Sequence, residues 1–301
     1  MATEPANNTS GGANGTSSAN GSMVRRILLG SQLRRLREGR GVSREAAGYS
    51  IRASESKISR MELGRVSFKA RDVADLLTLY GVTDESEREP LLGLARDSSI
   101  AGWWHSYSDV LPGWFQTYVG LEGAASRINT YEVQFVHGLL QIEDYAQAVI
   151  AAGHRGQLPE EEVERRVALR LERQKLLHGE SAPHLLCILD EAALHRRFGS
   201  SAVMRAQLDH LGEVSESPGV TLQIVPFEFG GHPAESGAFT LLSFPEPDLS
   251  DVVYLEQLTS SLYLDKKDEV AQYHQVLDRL VEDGLSPSES RDLLLRVRQL
   301  V

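Results

Sequence analysis

The 301-residue chain holds a single cysteine, Cys187. That excludes a disulfide framework within the chain and any cysteine-rich zinc site. No apolar run approaches the roughly 18 residues a helix needs to cross a bilayer. Residues 1–22 lack the apolar centre of a signal peptide, so a cytoplasmic protein is expected. The nine histidines are scattered, and none falls in an H-E-x-x-H pattern or a His/Cys cluster. Phosphate-cradling G-x-x-x-x-G-K-[ST], dinucleotide G-x-G-x-x-G and nucleophile-elbow G-x-S-x-G patterns are all missing. Neither a metal nor a cofactor is expected, and the sequence contains no catalytic constellation.

What is present is an uneven distribution of charge. The formal net charge is −11, which taken globally argues against a nucleic-acid partner. By segment it argues the opposite. Arg25 to Arg71 carries 13 basic and 4 acidic residues, whereas Ala101 to Val301 carries 16 basic and 30 acidic. A basic head on an acidic body is the electrostatic footprint of a DNA-binding module joined to a domain that does not bind DNA. The length suits two domains. The reading is a disordered low-complexity tail over 1–22, a helical head over 23–98 and an α/β body over 99–301.

The head is organised around S-R-E-A-A-G-Y-S-I-R-A-S-E-S-K-I-S-R-M-E-L-G, Ser43 to Gly64. Ser43 is an N-cap for a short helix containing Ala47 and Gly48, and Ser54 is an N-cap for the next. Ile58 and Met61 are three apart and face inward, leaving Glu55, Ser56, Lys57 and Arg60 on the other face. Glycine inside a helix costs about 1 kcal/mol relative to alanine, so Gly48 points to a close helix crossing. An ordinary helical hairpin fits this stretch equally well by itself; the basic surroundings favour a helix-turn-helix. Gly30–Arg40 reads as a preceding helix, with Leu33 and Leu36 inside and Arg34, Arg35, Arg37 and Arg40 outside. Two further helices follow, one with Val73, Leu76, Leu77 and Tyr80 inside, the other over Asp84–Ala95.

The body opens with all three tryptophans, Trp103, Trp104 and Trp114. They form either a strap that docks the domains or a groove for a ligand or partner. Helices are expected over Gly120–Tyr131 and Pro159–His178, the charge run of the second being a solvated face. Strands are expected at His184–Leu189, Val220–Pro226, Gly237–Phe244, Val252–Glu256 and Ser261–Leu264. Helices at Glu191–Phe198, Ser201–Ser215, Lys267–Glu282 and Ser288–Leu300 complete a mixed α/β body with a small sheet. Asp190 and Glu191 read as a helix cap rather than active-site acids. Cys187 reads as a buried small hydrophobe. The Gly-rich loop Phe227–Phe239 reads as a connection whose glycines take positive φ, with His232 and Glu235 as its ligand-gripping alternative.

The runs L-R-R-L-R-E, S-E-S-K-I-S-R-M-E-L-G-R and D-V-A-D-L-L-T-L-Y-G-V-T-D resemble the XRE-type, lambda-repressor-like helix-turn-helix of actinobacterial regulators. Arg52 stands where that family usually carries its turn glycine. The runs Y-E-V-Q-F-V-H-G-L-L-Q-I-E-D-Y-A and V-V-Y-L-E resemble the C-terminal, antitoxin-like (Scr-type) domain of such regulators, with His137 in place of a usual Pro and Ile142 in place of a usual Thr. The resemblance implies a five-helix head that reads double-stranded DNA. Glu55, Ser56 and Arg60 would be its base readers, and Lys57 would contact a base or a phosphate. Arg60 matches guanine O6 and N7, and Glu55 matches cytosine N4. Arg44 and Arg65 are phosphate-clamp candidates. A homodimer on a two-fold site is expected, with the body dimerising, sensing a small-molecule ligand or receiving a partner. The alternative is an interaction module that binds a small partner protein and uses DNA binding for autoregulation.

Overall fold

A computed structural model describes residues 13–98, 102–245 and 249–301, with side chains from Arg25 onward. The chain divides into two compact units, Met1–Ser106 and Tyr107–Val301.

The first unit is all-helical: α1 Ala13–Gly39, α2 Arg44–Ser50, α3 Glu55–Glu62, α4 Ala70–Leu79 and α5 Glu85–Asp97. Its core gathers Leu29 and Leu33 of α1, Ala47 of α2, Ile58 and Met61 of α3, and Val73, Leu76 and Leu77 of α4. Two expectations need correction. Of the tail expected to be disordered, residues 1–12 lie outside the described residues, and 13–22 continue α1. Each residue added to an existing helix gains a hydrogen bond without repeating the cost of nucleation, and no proline interrupts this stretch. The second correction is Arg37, which is buried rather than outside. It lies one turn beyond Leu33 on the inner stripe and finds a carboxylate there.

The second unit is a mixed α/β body. Its elements are α6 Gly113–Ala124, β1 Arg127–Glu132, α7 Glu143–Gly153, α8 Glu160–Gln174, β2 His184–Asp190, α9 Glu191–His195, α10 Ser201–Val214, β3 Val220–Val225, β4 Phe239–Ser243, β5 Val252–Glu256, β6 Ser261–Leu264, α11 Lys267–Asp283 and α12 Pro287–Leu300. The six strands form one sheet in the order β3-β2-β1-β4-β5-β6. The first three strands run parallel through helical crossovers; β4, β5 and β6 add antiparallel.

The helix expected over Gly120–Tyr131 is instead the end of α6 followed by β1. Ile128, Thr130 and Tyr131 suit a pleated surface, and hydrogen bonding to β2 and β4 on both sides overrides any helical periodicity. The reading of α8 as a solvated charged face holds for Glu160, Glu161, Glu164 and Arg165, which are exposed, but not for Arg173. Arg173 is buried, and its guanidinium donates to both Glu122 oxygens at 2.8 and 2.7 Å.

One face of the sheet packs Tyr131, Ile188, Val225, Leu241 and Val253 against Val270, Leu277 and Leu280 of α11. Cys187 is fully buried on β2, where burial raises its thiol pKa well above the usual value. Asp190 caps α9 by accepting from the Ala192 amide at 2.8 Å. Gly230 and Gly237 take φ of +74° and +102° in the loop before β4. There the Tyr131 hydroxyl and His232 Nε2 are 3.0 Å apart, while Glu235 is exposed.

Candidate nucleic-acid interface

The geometry of α2 and α3 follows from local chemistry at four positions. The Ser43 hydroxyl accepts from the Ala46 amide at 3.1 Å and starts α2. The Ser54 hydroxyl accepts from the Lys57 amide at 3.2 Å and starts α3. Each cap satisfies one of the helix amides that has no partner within the helix. Between the helices, the Ala53 amide donates to the Gly48 carbonyl at 2.8 Å. A Cβ on Gly48 would stand 2.7 Å from the Ala53 carbonyl oxygen, so only glycine fits this crossing without a backbone shift. The turn then needs a left-handed residue, and Arg52 supplies it with φ +55°. A non-glycine residue there carries a local conformational cost that the surrounding turn must offset.

Ala47, Ile58 and Met61 are buried against the unit's core. That orientation turns the opposite face of α3 outward, where Glu55, Ser56 and Arg60 are exposed. Arg60 Nε lies 3.4 Å from the Ser56 carbonyl, so its guanidinium runs along the outer face of α3. Lys57 differs from these three. Its ammonium is 2.9 Å from Asp72 Oδ2 and half-buried, tying the first turn of α3 to α4.

Behind α3 lies a buried carboxylate, Glu62. Arg37 donates to both of its oxygens, through Nε at 2.5 Å and through the second terminal nitrogen at 3.1 Å. Arg44 Nε donates to Glu62 Oε2 at 3.0 Å. Arg37 also donates to the Val42 carbonyl at 2.8 Å, in the loop that enters α2. One carboxylate therefore joins α1, the start of α2 and the end of α3. The Glu62 hydrogen bond is the largest influence on Arg37 and holds its pKa above the usual guanidinium value. Tyr80 packs near this cluster, and burial, reinforced by the Glu62 charge, raises its phenol pKa.

Arg44 is thus oriented by Glu62 while its side chain stays partly exposed at the start of α2. Arg65 follows α3 directly, its amide donating to the Arg60 carbonyl at 2.8 Å. Glu62 and Arg37 were absent from the expected site. The one sequence signal for them is an arginine at helical spacing from Leu33 and Leu29, a position a solvated residue would not occupy. Tyr49 of α2 was also passed over and is highly exposed beside the turn.

The tryptophans fall in both units. Trp103 and Trp104 meet edge to face at 6.1 Å in a 3-10 turn, with Trp104 buried. Trp114 belongs to α6 and meets Phe115 at 5.8 Å, and its carbonyl accepts from the Tyr263 hydroxyl at 2.7 Å. Among the described residues, no group of three or more His, Cys, Asp or Glu is placed to hold a metal ion. No helix among them is long and apolar enough to cross a membrane.

Residues 28–91 match a helix-turn-helix domain family, which spans the whole α2–α3 arrangement. Residues 115–296 match a domain of unknown function, DUF5753. Neither a curated protein nor a solved structure matches the chain.

Proposed function

Because the chain belongs to the DUF5753 family and joins that domain to a helix-turn-helix DNA-binding domain, we propose that it is a sequence-specific transcriptional regulator of the XRE type. The observation that carries this reading is the outward face of α3. Glu55, Ser56 and Arg60 are exposed there, on a helix whose other face is locked into the core. In this reading α3 lies in the major groove. Arg60 pairs with guanine, and Glu55 accepts from cytosine. Ser56 reads an adjacent base edge. Lys57, held by Asp72, braces the reading helix and meets a phosphate at most. Arg44, oriented by Glu62, and Arg65 clamp the phosphates on either side. Tyr49, exposed at the turn, adds a neutral donor to the backbone.

The DUF5753 body brings two heads together on a two-fold site, with half-sites about 34 Å apart. It transmits a signal to them from a ligand or a partner protein.

The test is selection of bound sequences from random duplexes with the full chain, followed by titration of the best site. Arg60→Ala is expected to weaken that site by about 1–3 kcal/mol and to relax one base position. Arg65→Ala is expected to weaken all sequences alike and to reduce the salt slope by about 1. An unchanged affinity and motif for Arg60→Ala would remove the base-reading role.

A further inference from the structure

The carboxyl ends of β1 and β2 carry a chain of hydrogen bonds that finishes on a loop. In the sheet, β2 and β3 lie to one side of β1, and β4 to the other. The strand order therefore reverses at β1, and open α/β sheets bind ligands outside the carboxyl ends of their strands at such a point. Tyr131 is the penultimate residue of β1, and Asp190 ends the parallel neighbour β2. The Tyr131 hydroxyl donates to Asp190 Oδ2 at 3.1 Å. Burial, reinforced by the Asp190 charge, raises its phenol pKa and keeps it a neutral donor.

His232, in the connection from β3 to β4, completes the chain. Its Nε2 is 3.0 Å from the Tyr131 oxygen and 3.7 Å from Asp190 Oδ2. Because Tyr131 gives its proton to Asp190, Nε2 is the donor to Tyr131. The imidazole meets the Tyr131 ring edge to face at 5.5 Å and stacks on Phe229 at 6.3 Å. Its Nδ1 is buried and has no hydrogen-bond partner among the described residues. A buried nitrogen left unsatisfied works against this closed arrangement.

The segment that carries His232 is built to move. At its two ends Gly230 and Gly237 take left-handed φ, and a Cβ on either would meet nothing within 4 Å. Between them Pro233, Glu235 and Ser236 are exposed, and Ala234 is a small buried anchor. Among the described residues, His232 supplies the one side-chain hydrogen bond from residues 230–237 to the rest of the body.

We propose that residues 230–237 are a lid over a ligand site at the carboxyl ends of β1 and β2, latched by His232, and that the ligand is a planar nitrogen base that takes the place of the His232 ring. Such a base supplies the same N–H donor to Tyr131 and the same flat surface to the aromatic rings. An anion would face Asp190, and a saturated amine would lose the ring contacts. The site gives a place to the ligand-receiving role proposed for the body and rests on that reading for its regulatory meaning.

The test is limited digestion of the full chain by a glutamate-specific protease, without DNA, so its failure is separate from failure of the DNA-binding reading. Cleavage after Glu235 reports the open lid, and cleavage after Glu180, on an exposed turn, is the internal reference. His232→Ala should raise the ratio of the two about tenfold, the loss of one hydrogen bond in the latch. Tyr131→Phe keeps the ring, removes the acceptor of His232 and should act in the same direction, which preserves the test if one variant folds poorly. A tethered group competes at an effective concentration on the order of millimolar, so about 100 mM imidazole should raise the ratio in the wild type. It should leave His232→Ala unchanged, and acetate or methylammonium at the same concentration should have no such effect. An unchanged ratio in the folded variants would overturn the latch. No response of the wild type to imidazole, or an equal response to acetate or methylammonium, would overturn the ligand.

Discussion

Replacing Glu62 with glutamine tests whether one buried carboxylate holds the reading head together. The wild-type carboxylate accepts three hydrogen bonds from two arginines, Arg37 and Arg44, and its side chain is almost fully withdrawn from water. Glutamine keeps the size but removes the charge and turns one oxygen into a donor facing a guanidinium. Arg37 is then left buried without its counter-charge, whereas Arg44 can turn to solvent. Breaking a buried pair on one side costs about 3–5 kcal/mol, because the remaining charge is stranded. Removing both charges is far cheaper, since the desolvation penalty disappears with them. Glu62→Gln, Glu62→Leu and Arg37→Met singly should therefore each cost about 3–5 kcal/mol, and Arg37→Met with Glu62→Leu should cost much less than the sum of those two single variants. Native-state hydrogen exchange at α1 and α3 amides reports this unit separately from the body. A cost below about 1 kcal/mol for Glu62→Gln, or additive costs in the double variant, would refute the reasoning.

Three further outcomes follow from the same geometry. Gly48→Ala should destabilise the head by about 1–3 kcal/mol through overpacking against the Ala53 carbonyl, and weaken DNA binding with it, as measured by exchange and by titration of the selected site. Gly39→Ala meets nothing within 4 Å at the end of α1 and should be neutral or stabilising by up to about 1 kcal/mol. The pKa of buried His137 is pulled down to about 4, mainly by burial. Its folded value lies below its unfolded one, so its contribution is present above pH 6.5 and is lost as the pH falls toward 4. That loss amounts to about 3 kcal/mol. His137→Gln should flatten the acid limb of stability, followed through β1 and β2 amide exchange; an unaltered limb would mean that His137 is not the group that titrates.

Much of the head was legible from sequence because its determinants are local. Ser43 and Ser54 cap the next amides along the chain, Gly48 answers a contact five residues away, and the Ile58–Met61 spacing defines a helix face. The strands of the body were legible for the same reason, through alternation and β-branched residues. The segment that misled was Gly120–Tyr131, where a strand paired on both sides replaced the expected helical end.

Arginine was the other weakness. Arg37 and Arg173 have the composition of surface residues, yet both are buried. Their partners, Glu62 and Glu122, lie 25 and 51 positions away. A burial cost that only a distant carboxylate can offset cannot be read from neighbouring residues. The sequence by itself determined the capped, glycine-crossed helix pair, the basic head and the alternating strands, because each rests on contacts within a turn or a pleat. The tertiary structure alone decided which charges point inward and which face solvent, because that depends on where the fold brings distant side chains together in a medium of low polarity.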